Sequence, residues 1–364
     1  MTIAIFSPNK NPYSETFIQA HKQYLKGKIL YYYGTGLSMQ LEGTGNLVSK
    51  LLKYWYLFLG VLLKRSTASA SNKMLLHSLR KHRVDAILVE YGNHAFRLLA
   101  ILERIGLPVV VHFHGYDASR HDVIAYCDNY KGVFEHAHKV VVVSKVMYER
   151  LLDLGCPEEK LVYNVYGPRP EFHDVQPQFS TLQFVGIGRF TDKKAPYYTL
   201  MAFKEIAAKY PDTKLLLAGD GTLLNACKNL VNYYGLESQV QFLGVIDSVA
   251  YKALLETSLA FVQHSITAES GDMEGTPLSI LEASAAGLPV ISTLHAGIPD
   301  VIVDGETGLL CAEHDVADMA KNMMRLLDDV NFAKELGSNG KQRILSQFTL
   351  KQHIEALQSS LESE

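Results

Sequence analysis

Short apolar runs alternate with longer segments of helical periodicity along the whole chain. Continuous apolar runs rich in β-branched residues are typical of strands that are buried on both faces of a parallel sheet. The runs in the first half are TIAIF, KILYYY, VDAILVEY, PVVVHFH and KVVVVS, and those in the second half are LQFVGIG, TKLLLAG, QVQFLG, LAFVQ, LPVIST and GLLC. This alternation in both halves predicts an α/β fold with two doubly wound domains.

Helices are predicted between these strands, near residues 14–26, 47–64, 72–82, 95–105, 195–210, 222–234, 247–256, 277–286 and 315–327. The segment 166–180 holds three prolines and shows no helical period, which indicates a boundary between domains. We therefore predict an N-terminal domain over residues 1–170 and a C-terminal domain over residues 178–345. Residues 346–364 are predicted to form a terminal helix that packs back toward the N-terminal domain.

Composition narrows the class of protein. A length of 364 residues suits about two domains. A net charge of -3 leaves no general basic field, which argues against nucleic acid as a partner. The four cysteines form no CxxC pair, and the N-terminus lacks the features of a secretory signal. A reducing, cytoplasmic location is therefore expected.

The most apolar segment, LLKYWYLFLGVLLKR, covers residues 51–65. Its uninterrupted apolar run is shorter than the roughly 20 residues that span a bilayer. Two interpretations are open. The segment is either a helix packed on the N-terminal sheet, or an interfacial helix that contacts the inner face of a membrane, since lysine and arginine flank its aromatic centre.

The segment GDMEGTPLSILEASAAGLPVIST places two carboxylates around a helix start. Proline is favoured at the first helical position, so Thr276 is predicted as the N-cap of a helix over residues 277–286 that ends at Gly287. The N–H groups of the first turn have no intrahelical partners and can bind phosphate or hydroxyl oxygens. Glu274 can accept hydrogen bonds from sugar hydroxyls, and Glu282 from a second diol such as a ribose. The alternative is that Glu274 is a solvated turn residue and Glu282 an exposed helix residue.

The segment FVGIGRFTDKKAP follows the first strand of the second half. Its two glycines, Gly186 and Gly188, lack the third glycine of a dinucleotide fingerprint, which argues against a dehydrogenase. Arg189, Lys193 and Lys194 lie beyond the carboxyl end of the strand, where open α/β sheets bind ligands. Their charges suit a diphosphate. The alternative is a solvated basic loop.

The segment VVVHFHGYDAS places His112 and His114 on one face of a strand. We do not predict a metal site, because no carboxylate or cysteine completes a recognisable ligand set. His112 is predicted to be a satisfied core histidine. His114, next to a glycine and followed by Asp117, is the better functional candidate within a polar cluster at the strand's carboxyl end.

Together these motifs resemble the retaining GT-B glycosyltransferases of family 4. EGTPLSILEA resembles the family's E-x7-E motif, with Glu274 and Glu282 at the two glutamate positions, and GRFTDKKAP resembles its Gly-Arg-Leu-x-x-x-Lys-Gly segment, with Arg189 and Lys194 at the two basic positions. HFHGYD is similar to its His-Gly segment. SETFI and the region around EGTPLSILEA resemble the branch that includes colanic-acid and other exopolysaccharide enzymes. The chain departs from the family in lacking a Gly-Gly turn after the first strand, and in having Ala195 where the family has glycine.

The resemblance implies a GT-B fold, with two Rossmann-like domains facing a central cleft. It implies transfer of a hexosyl unit, with retention of configuration, from a UDP- or GDP-sugar to a glycan or lipid-linked glycan in surface polysaccharide biosynthesis. No metal and no other cofactor is expected. A nucleotide-sugar epimerase and a non-catalytic nucleotide-sugar binding protein of the same fold remain as alternatives.

The resemblance also implies roles for individual residues. The catalytic candidates are His114, Arg189, Lys194 and Glu274. The donor-binding candidates are Gly188, Val245, Gly275, Thr276, Pro277, Leu278 and Glu282. The acceptor-side candidates are Ser14, Glu15, Thr16 and Asp117.

Overall fold

The computed structural model describes residues 1–10, 15–49, 54, 55, 58 and 68–363. Ser14 and most of the helix predicted at residues 47–64 lie outside this part of the chain. Two compact units are formed. Unit 1 comprises Met1–Val143, Tyr148–Asn164 and Ile354–Glu364, and unit 2 comprises Ser144–Met147 and Val165–His353. None of the helices in the described ranges is both long enough and apolar enough to cross a membrane.

Unit 1 is built on a mainly parallel sheet. Its strands within the described residues are β1 (Thr2–Ser7), β2 (Lys28–Tyr33), β3 (Gln40–Leu41), β4 (Gly45–Asn46), β5 (Ala86–Glu90), β6 (Val109–His112), β7 (Lys139–Val142) and β8 (Leu161–Tyr163). They pair in the order β4-β3-β2-β1-β5-β6-β7-β8, and β3 runs antiparallel to both of its neighbours. The direction of winding reverses between β1 and β5. Polar groups after these two strands therefore share a crevice at the sheet edge where α/β folds bind ligands.

The helices between these strands are α1 (Thr16–Tyr24), α2 (Ala68–Lys81), α3 (Gly92–Ile105), α4 (Tyr116–Ser119), α5 (His121–Tyr126), α6 (Lys131–His136) and α7 (Lys145–Asp153). Helix α3 begins earlier than the predicted residue 95. Its N-cap, Tyr91, has a φ of 73° and makes no side-chain cap hydrogen bond. The Gly92 N–H instead donates to Asp117, at 2.8 Å. A partner distant in sequence thus stabilises this helix start, which local propensity does not reveal.

Unit 2 has the doubly wound arrangement that the alternating pattern predicts. Its strands are β9 (Gln183–Ile187), β10 (Lys214–Ala218), β11 (Val240–Gly244), β12 (Ala260–Val262), β13 (Val290–Thr293) and β14 (Gly308–Cys311). They pair in the order β11-β10-β9-β12-β13-β14, and all pairs are parallel. The order reverses between β9 and β12, so the loops after these two strands form the expected ligand-binding edge.

The helices of unit 2 are α8 (Pro196–Ala207), α9 (Leu224–Tyr234), α10 (Ser248–Thr257), α11 (Leu278–Ala286), α12 (Ile298–Val301), α13 (Val316–Asp328) and α14 (Val330–Gln347), and α15 (Leu350–Glu362) follows. The prediction that Thr276 caps α11 is wrong. Pro277 is the N-cap, with a φ of -64° and a ψ of 119°, and its carbonyl accepts the N–H groups of Ile280 and Leu281. The predicted end of the helix at Gly287 is confirmed, with a left-handed φ of 90°.

The core of unit 2 lies between its sheet and the helices that cover it. Phe184 on β9, Phe203 on α8 and Met323 on α13 are all completely buried. Burying side chains of this size stabilises the fold by about 1.5–3 kcal/mol each. The two α/β units with parallel sheets confirm the predicted fold class. In unit 2, this packing also anchors β9 and α8, the two elements that the basic loop joins.

Candidate active site

The basic loop after β9 meets the end of β12 in unit 2. Lys194 closes the short turn Asp192–Lys194, just before α8 begins. Its Nζ lies 3.4 Å from Oε1 of Gln263, the residue after β12, and 3.2 Å from Oε1 of Glu274. Ala195 adopts a left-handed conformation, with φ 33° and ψ 53°. The left-handed conformation favours glycine, so Ala195 strains the backbone. The glycosyltransferase family that the motifs resemble has glycine at this position.

Lys194 and Glu274 form a buried ion pair, with side chains 14% and 10% exposed. Burial by itself raises the pKa of Glu274. The charges of Lys194, Lys193 and His295 outweigh this effect and lower the pKa to about 2. Burial also lowers the pKa of Lys194, and Glu274 partly restores it. Glu274 is therefore a buried, ionised carboxylate at neutral pH. The alternative that it is a solvated turn residue is wrong.

The turn that carries Glu274 is held by other polar groups. Lys193 donates to Asp272 Oδ1 at 2.9 Å and to the Met273 carbonyl at 3.0 Å. The Glu274 N–H donates to His295 Nε2 at 3.1 Å, and His295 Nδ1 lies 2.6 Å from Glu313. Lys193 thus shapes the turn. His295 follows β13 in a loop with no recognisable motif, so the sequence pattern did not identify it.

The start of α11 presents backbone N–H groups beside Glu274. Leu278 and Ser279 lie in the first turn, where N–H groups have no intrahelical partner. Pro277 has no N–H to offer, so its predicted role in donor binding is limited to van der Waals contact and chain direction. The Gly275 carbonyl accepts the N–H of Gly297 at 3.0 Å. This bond fixes the turn that leads into the helix.

Four further candidates, the catalytic candidate Arg189 and three donor-binding ones, are placed by the structure of unit 2. Gly188 allows a close approach, because a Cβ there would lie 2.9 Å from Cδ of Lys194. Arg189 is exposed, and Val245, just after β11, is 54% exposed. Thr276 is buried, at 3% exposure. A cavity of about 30 Å³ opens between the end of β9, Lys194 and Gln263.

Glu282 lies on α11 with a side chain that is only 7% exposed. Its Oε1 accepts a hydrogen bond from Arg169 Nε at 2.9 Å. Burial raises the pKa of Glu282 to about 7, although Arg169 opposes that shift. The alternative of an exposed helix carboxylate is therefore wrong. Arg169 was missed because it belongs to the proline-rich segment that the pattern marks only as a boundary.

In unit 1, His114 belongs to a buried cluster around Glu90, the last residue of β5. His114 Nε2 lies 2.9 Å from Glu90 Oε2, and His21 Nδ1 lies 2.7 Å from Glu90 Oε1. His112 is completely buried, with Nδ1 3.7 Å from Glu90 Oε2. The expectation that no carboxylate completes a ligand set with these histidines is wrong, because the fold brings Glu90 and His21 to His112. A carboxylate at the end of the apolar run VDAILVEY was the available signal.

The acceptor-side candidates differ in their surroundings. Glu15 Oε1 accepts a hydrogen bond from the Tyr91 hydroxyl at 3.0 Å, and Thr16 begins α1. Asp117 is fully buried, at 0% exposure. Its carboxylate accepts the N–H groups of Gly92, His114 and Gly115. Asp117 therefore shapes the loop and offers no accessible carboxylate to an acceptor, which corrects its predicted role.

Comparison with known proteins accounts for this combination of features. Residues 171–343 match the family described as glycosyl transferases group 1, and residues 54–167 match the glycosyl transferase 4-like domain. The putative colanic acid biosynthesis glycosyltransferase WcaL of Salmonella typhimurium is 31% identical over 66% of this chain and 60% of its own length. The amylovoran biosynthesis glycosyltransferase AmsK of Erwinia amylovora is 29% identical over 70% of this chain and 66% of its own. The match thus spans less than two thirds of the length of each of these relatives.

Solved structures agree on the fold. The crystal structure of Anabaena HepE in complex with UDP superimposes with a TM-score of 0.78 at 16% identity, over 100% of both chains. At that identity the likeness concerns the fold alone. The two domain matches together cover most of the chain, and the motif residues lie at the ligand edges of the two sheets. The chain therefore belongs to the glycosyltransferases of the GT-B fold and is similar to their exopolysaccharide branch.

Proposed function

We propose that the chain is a metal-independent, retaining glycosyltransferase of exopolysaccharide biosynthesis. It would move a hexosyl unit from a nucleotide-sugar to a glycan or lipid-linked glycan. The observation that carries this proposal is the buried Lys194–Glu274 pair beside the start of α11, at the ligand edge of unit 2. A cation, an anion and helix N–H groups together match the chemistry of a sugar diphosphate.

The diphosphate is assigned to the positive side of this site. Lys194 lies across Gly188, and the exposed Arg189 is the next residue along the loop. The N–H groups of Leu278 and Ser279 add the positive end of the helix dipole. As the bond to the sugar breaks, these groups would stabilise the charge on the departing diphosphate without needing to reorganise. The reaction then draws on cations that the chain itself supplies.

The donor sugar is assigned to Glu274. Its Oε1 pairs with Lys194 Nζ at 3.2 Å. With a pKa of about 2, the carboxylate stays ionised at neutral pH and can only accept hydrogen bonds. Sugar hydroxyls are matching donors. Gripping the sugar there would orient its anomeric carbon toward the acceptor hydroxyl.

The ribose of the nucleotide is assigned to Glu282. Because burial raises its pKa to about 7, both protonation states are populated near neutral pH. A carboxyl group in that range can accept a hydrogen bond from one hydroxyl of a diol and donate one to the other. Arg169, bonded to Oε1, would hold its orientation.

Contact with an anionic membrane surface is proposed for the segment around Trp55. The side chains of Tyr54, Trp55 and Phe58 are 69%, 57% and 59% exposed. Exposed aromatic side chains flanked by lysines are typical of interfacial segments. Such a contact would bring the enzyme to a lipid-linked acceptor on the inner face of the membrane.

The first test is a thermal-shift panel with UDP, GDP and ADP, and UDP comes first because HepE was solved with it. We expect one nucleotide to stabilise the wild-type protein, by about 2.7 kcal/mol at a hundredfold over its dissociation constant. Arg189→Ala should lose most of this shift. Lys228→Ala, which removes an exposed cation of α9, should keep it. The absence of a shift with every nucleotide would contradict the proposed donor site.

Glu274→Ala should lower kcat by about 100-fold or more, because a group that orients the sugar is lost. Nucleotide affinity should change much less, since the diphosphate contacts remain. Turnover is measured as nucleoside diphosphate released from the nucleotide-sugar, and affinity by calorimetry. Glu269→Ala, an exposed carboxylate in the preceding loop, is the matched control. Wild-type turnover in a folded Glu274→Ala protein would remove Glu274 from the site. Donor turnover that yields only an epimer would favour the epimerase.

The stability of the protein should depend on the protonation of Glu282. A folded pKa of about 7 lies above the ordinary value of 4.5, so the folded state binds the proton more tightly. The proton on Glu282 therefore adds about 3 kcal/mol to the free energy of unfolding. This stabilisation is fully present below about pH 4.5 and is lost as the pH rises to 7. The free energy of unfolding, measured with denaturant at pH 5 and pH 8, should differ less between the two pH values for Glu282→Gln than for the wild-type protein. Glu205→Gln, at an exposed position, is the control and should show the wild-type difference. If all three proteins show the same difference, the raised pKa of Glu282 is refuted.

Membrane contact is tested by flotation with vesicles. The wild-type protein should float with vesicles that contain phosphatidylglycerol and remain behind with phosphatidylcholine alone. The double variant Trp55→Ser/Phe58→Ser should lose flotation, because its interfacial aromatic side chains are gone. Tyr233→Ser removes an aromatic side chain that is 82% exposed in unit 2 and is the control. Failure of the wild-type protein to float with anionic vesicles would sink the idea.

A further inference from the structure

We infer that Glu90 is a positioning residue that keeps the proton of His114 on Nε2 and holds its ring in place. The inference deepens the proposed function and rests on it, because His114 is a catalytic candidate only if the chain is such a glycosyltransferase. It concerns which nitrogen of His114 carries the proton and how the ring is oriented.

Strand register brings the two residues together. Glu90 and His112 are paired positions at the ends of the neighbouring strands β5 and β6. His114 follows two residues later, where the chain leaves the sheet. Helix α1 contributes His21 to the other carboxylate oxygen of Glu90, at 2.7 Å. The carboxylate is thus bonded through one oxygen to each of two imidazole rings.

Charge decides which atoms carry the protons. Glu90 is completely buried. Burial alone raises its pKa. The charge of His21 and the hydrogen bonds from His114 and His21 outweigh this effect and lower the pKa to about 2. An ionised carboxylate only accepts hydrogen bonds. The His114 nitrogen that lies 2.9 Å from Oε2 must therefore be the donor, which places a proton on Nε2.

Aromatic side chains hold the plane of the ring. Phe17 stacks on His114 with ring centroids 4.4 Å apart, and Tyr91 meets it edge-on at 4.5 Å. Together with the Nε2 hydrogen bond, these contacts restrict rotation about both side-chain torsions. The Asp117 carboxylate also binds the His114 N–H, so the backbone and the side chain are both held.

A metal ion is the competing occupant of this cluster. Ligand atoms of His21, Glu90 and His112 all lie within 4.8 Å of one another. However, His21 Nδ1 and Glu90 Oε1 are 2.7 Å apart, which is a hydrogen-bond length. Two ligands on one tetrahedral zinc, each about 2.0–2.1 Å from the ion, stand further apart than that. The geometry favours shared protons, and metal content becomes an outcome of the test.

The experiment records the histidine tautomers of the full chain by two-bond ¹H–¹⁵N NMR after selective ¹⁵N-histidine labelling. The His114 signal is identified by its loss in His114→Gln. We expect Nε2–H for His114 in the wild-type protein and a smaller Nε2–H fraction in Glu90→Gln, since an amide can also donate. In the same variant kcat should fall by about 100-fold with little change in KM for the nucleotide-sugar. Glu90→Asp, which keeps the charge, should recover part of the loss.

Glu42→Gln is the matched control, because it makes the same chemical change at an exposed ion pair with Lys22 in unit 1. It should leave the tautomer and the turnover at wild-type values. The inference is overturned if His114 Nε2 is unprotonated in the wild-type protein, if Glu90→Gln retains both tautomer and turnover, or if elemental analysis finds one metal ion per chain. If Glu90→Gln does not fold, the wild-type tautomer and Glu90→Asp still decide. If no nucleotide-sugar is turned over while the tautomers behave as expected, the proposed function fails and the role of Glu90 in holding His114 stands.

Discussion

The candidate site of unit 2 depends on one buried ion pair, between Lys194 and Glu274. Removing either partner of such a pair leaves an uncompensated charge and costs about 3–5 kcal/mol. A replacement by apolar residues would cost less, so stability alone gives weak grounds for having the pair. An ionised carboxylate paired with a lysine, beside a helix start, is suited to a ligand that carries both hydroxyl and phosphate groups.

Both units use the same property of doubly wound sheets. In unit 2, Lys194 and Gln263 follow the two strands between which the winding reverses. In unit 1, Glu90 ends β5, which pairs with β1 at the corresponding reversal. Connections leave a sheet in opposite directions at such a point and open a crevice there. Each crevice contains a buried carboxylate whose pKa is held low by neighbouring cations or hydrogen-bond donors.

The three glutamates show how much the surroundings decide. Glu90 and Glu274 stay ionised because histidine or lysine charges outweigh the effect of burial. For Glu282, a single partly exposed arginine does not outweigh it, and the pKa rises to about 7. Carboxylates of equal intrinsic acidity are therefore suited to different tasks. Two can serve as permanent acceptors, and the third as a group that both donates and accepts.

The sequence by itself determined the two α/β units, most strand positions and the motifs around Arg189 and Glu274, because hydrophobic period and motif spacing are local properties of the chain. The burial of Glu274 and Glu282, and the partners Arg169 and His295, came only from tertiary structure. These contacts join residues far apart in the chain, so no local pattern encodes them. The cluster around Glu90 is the clearest case, since strand register and the placement of α1 brought its histidines together.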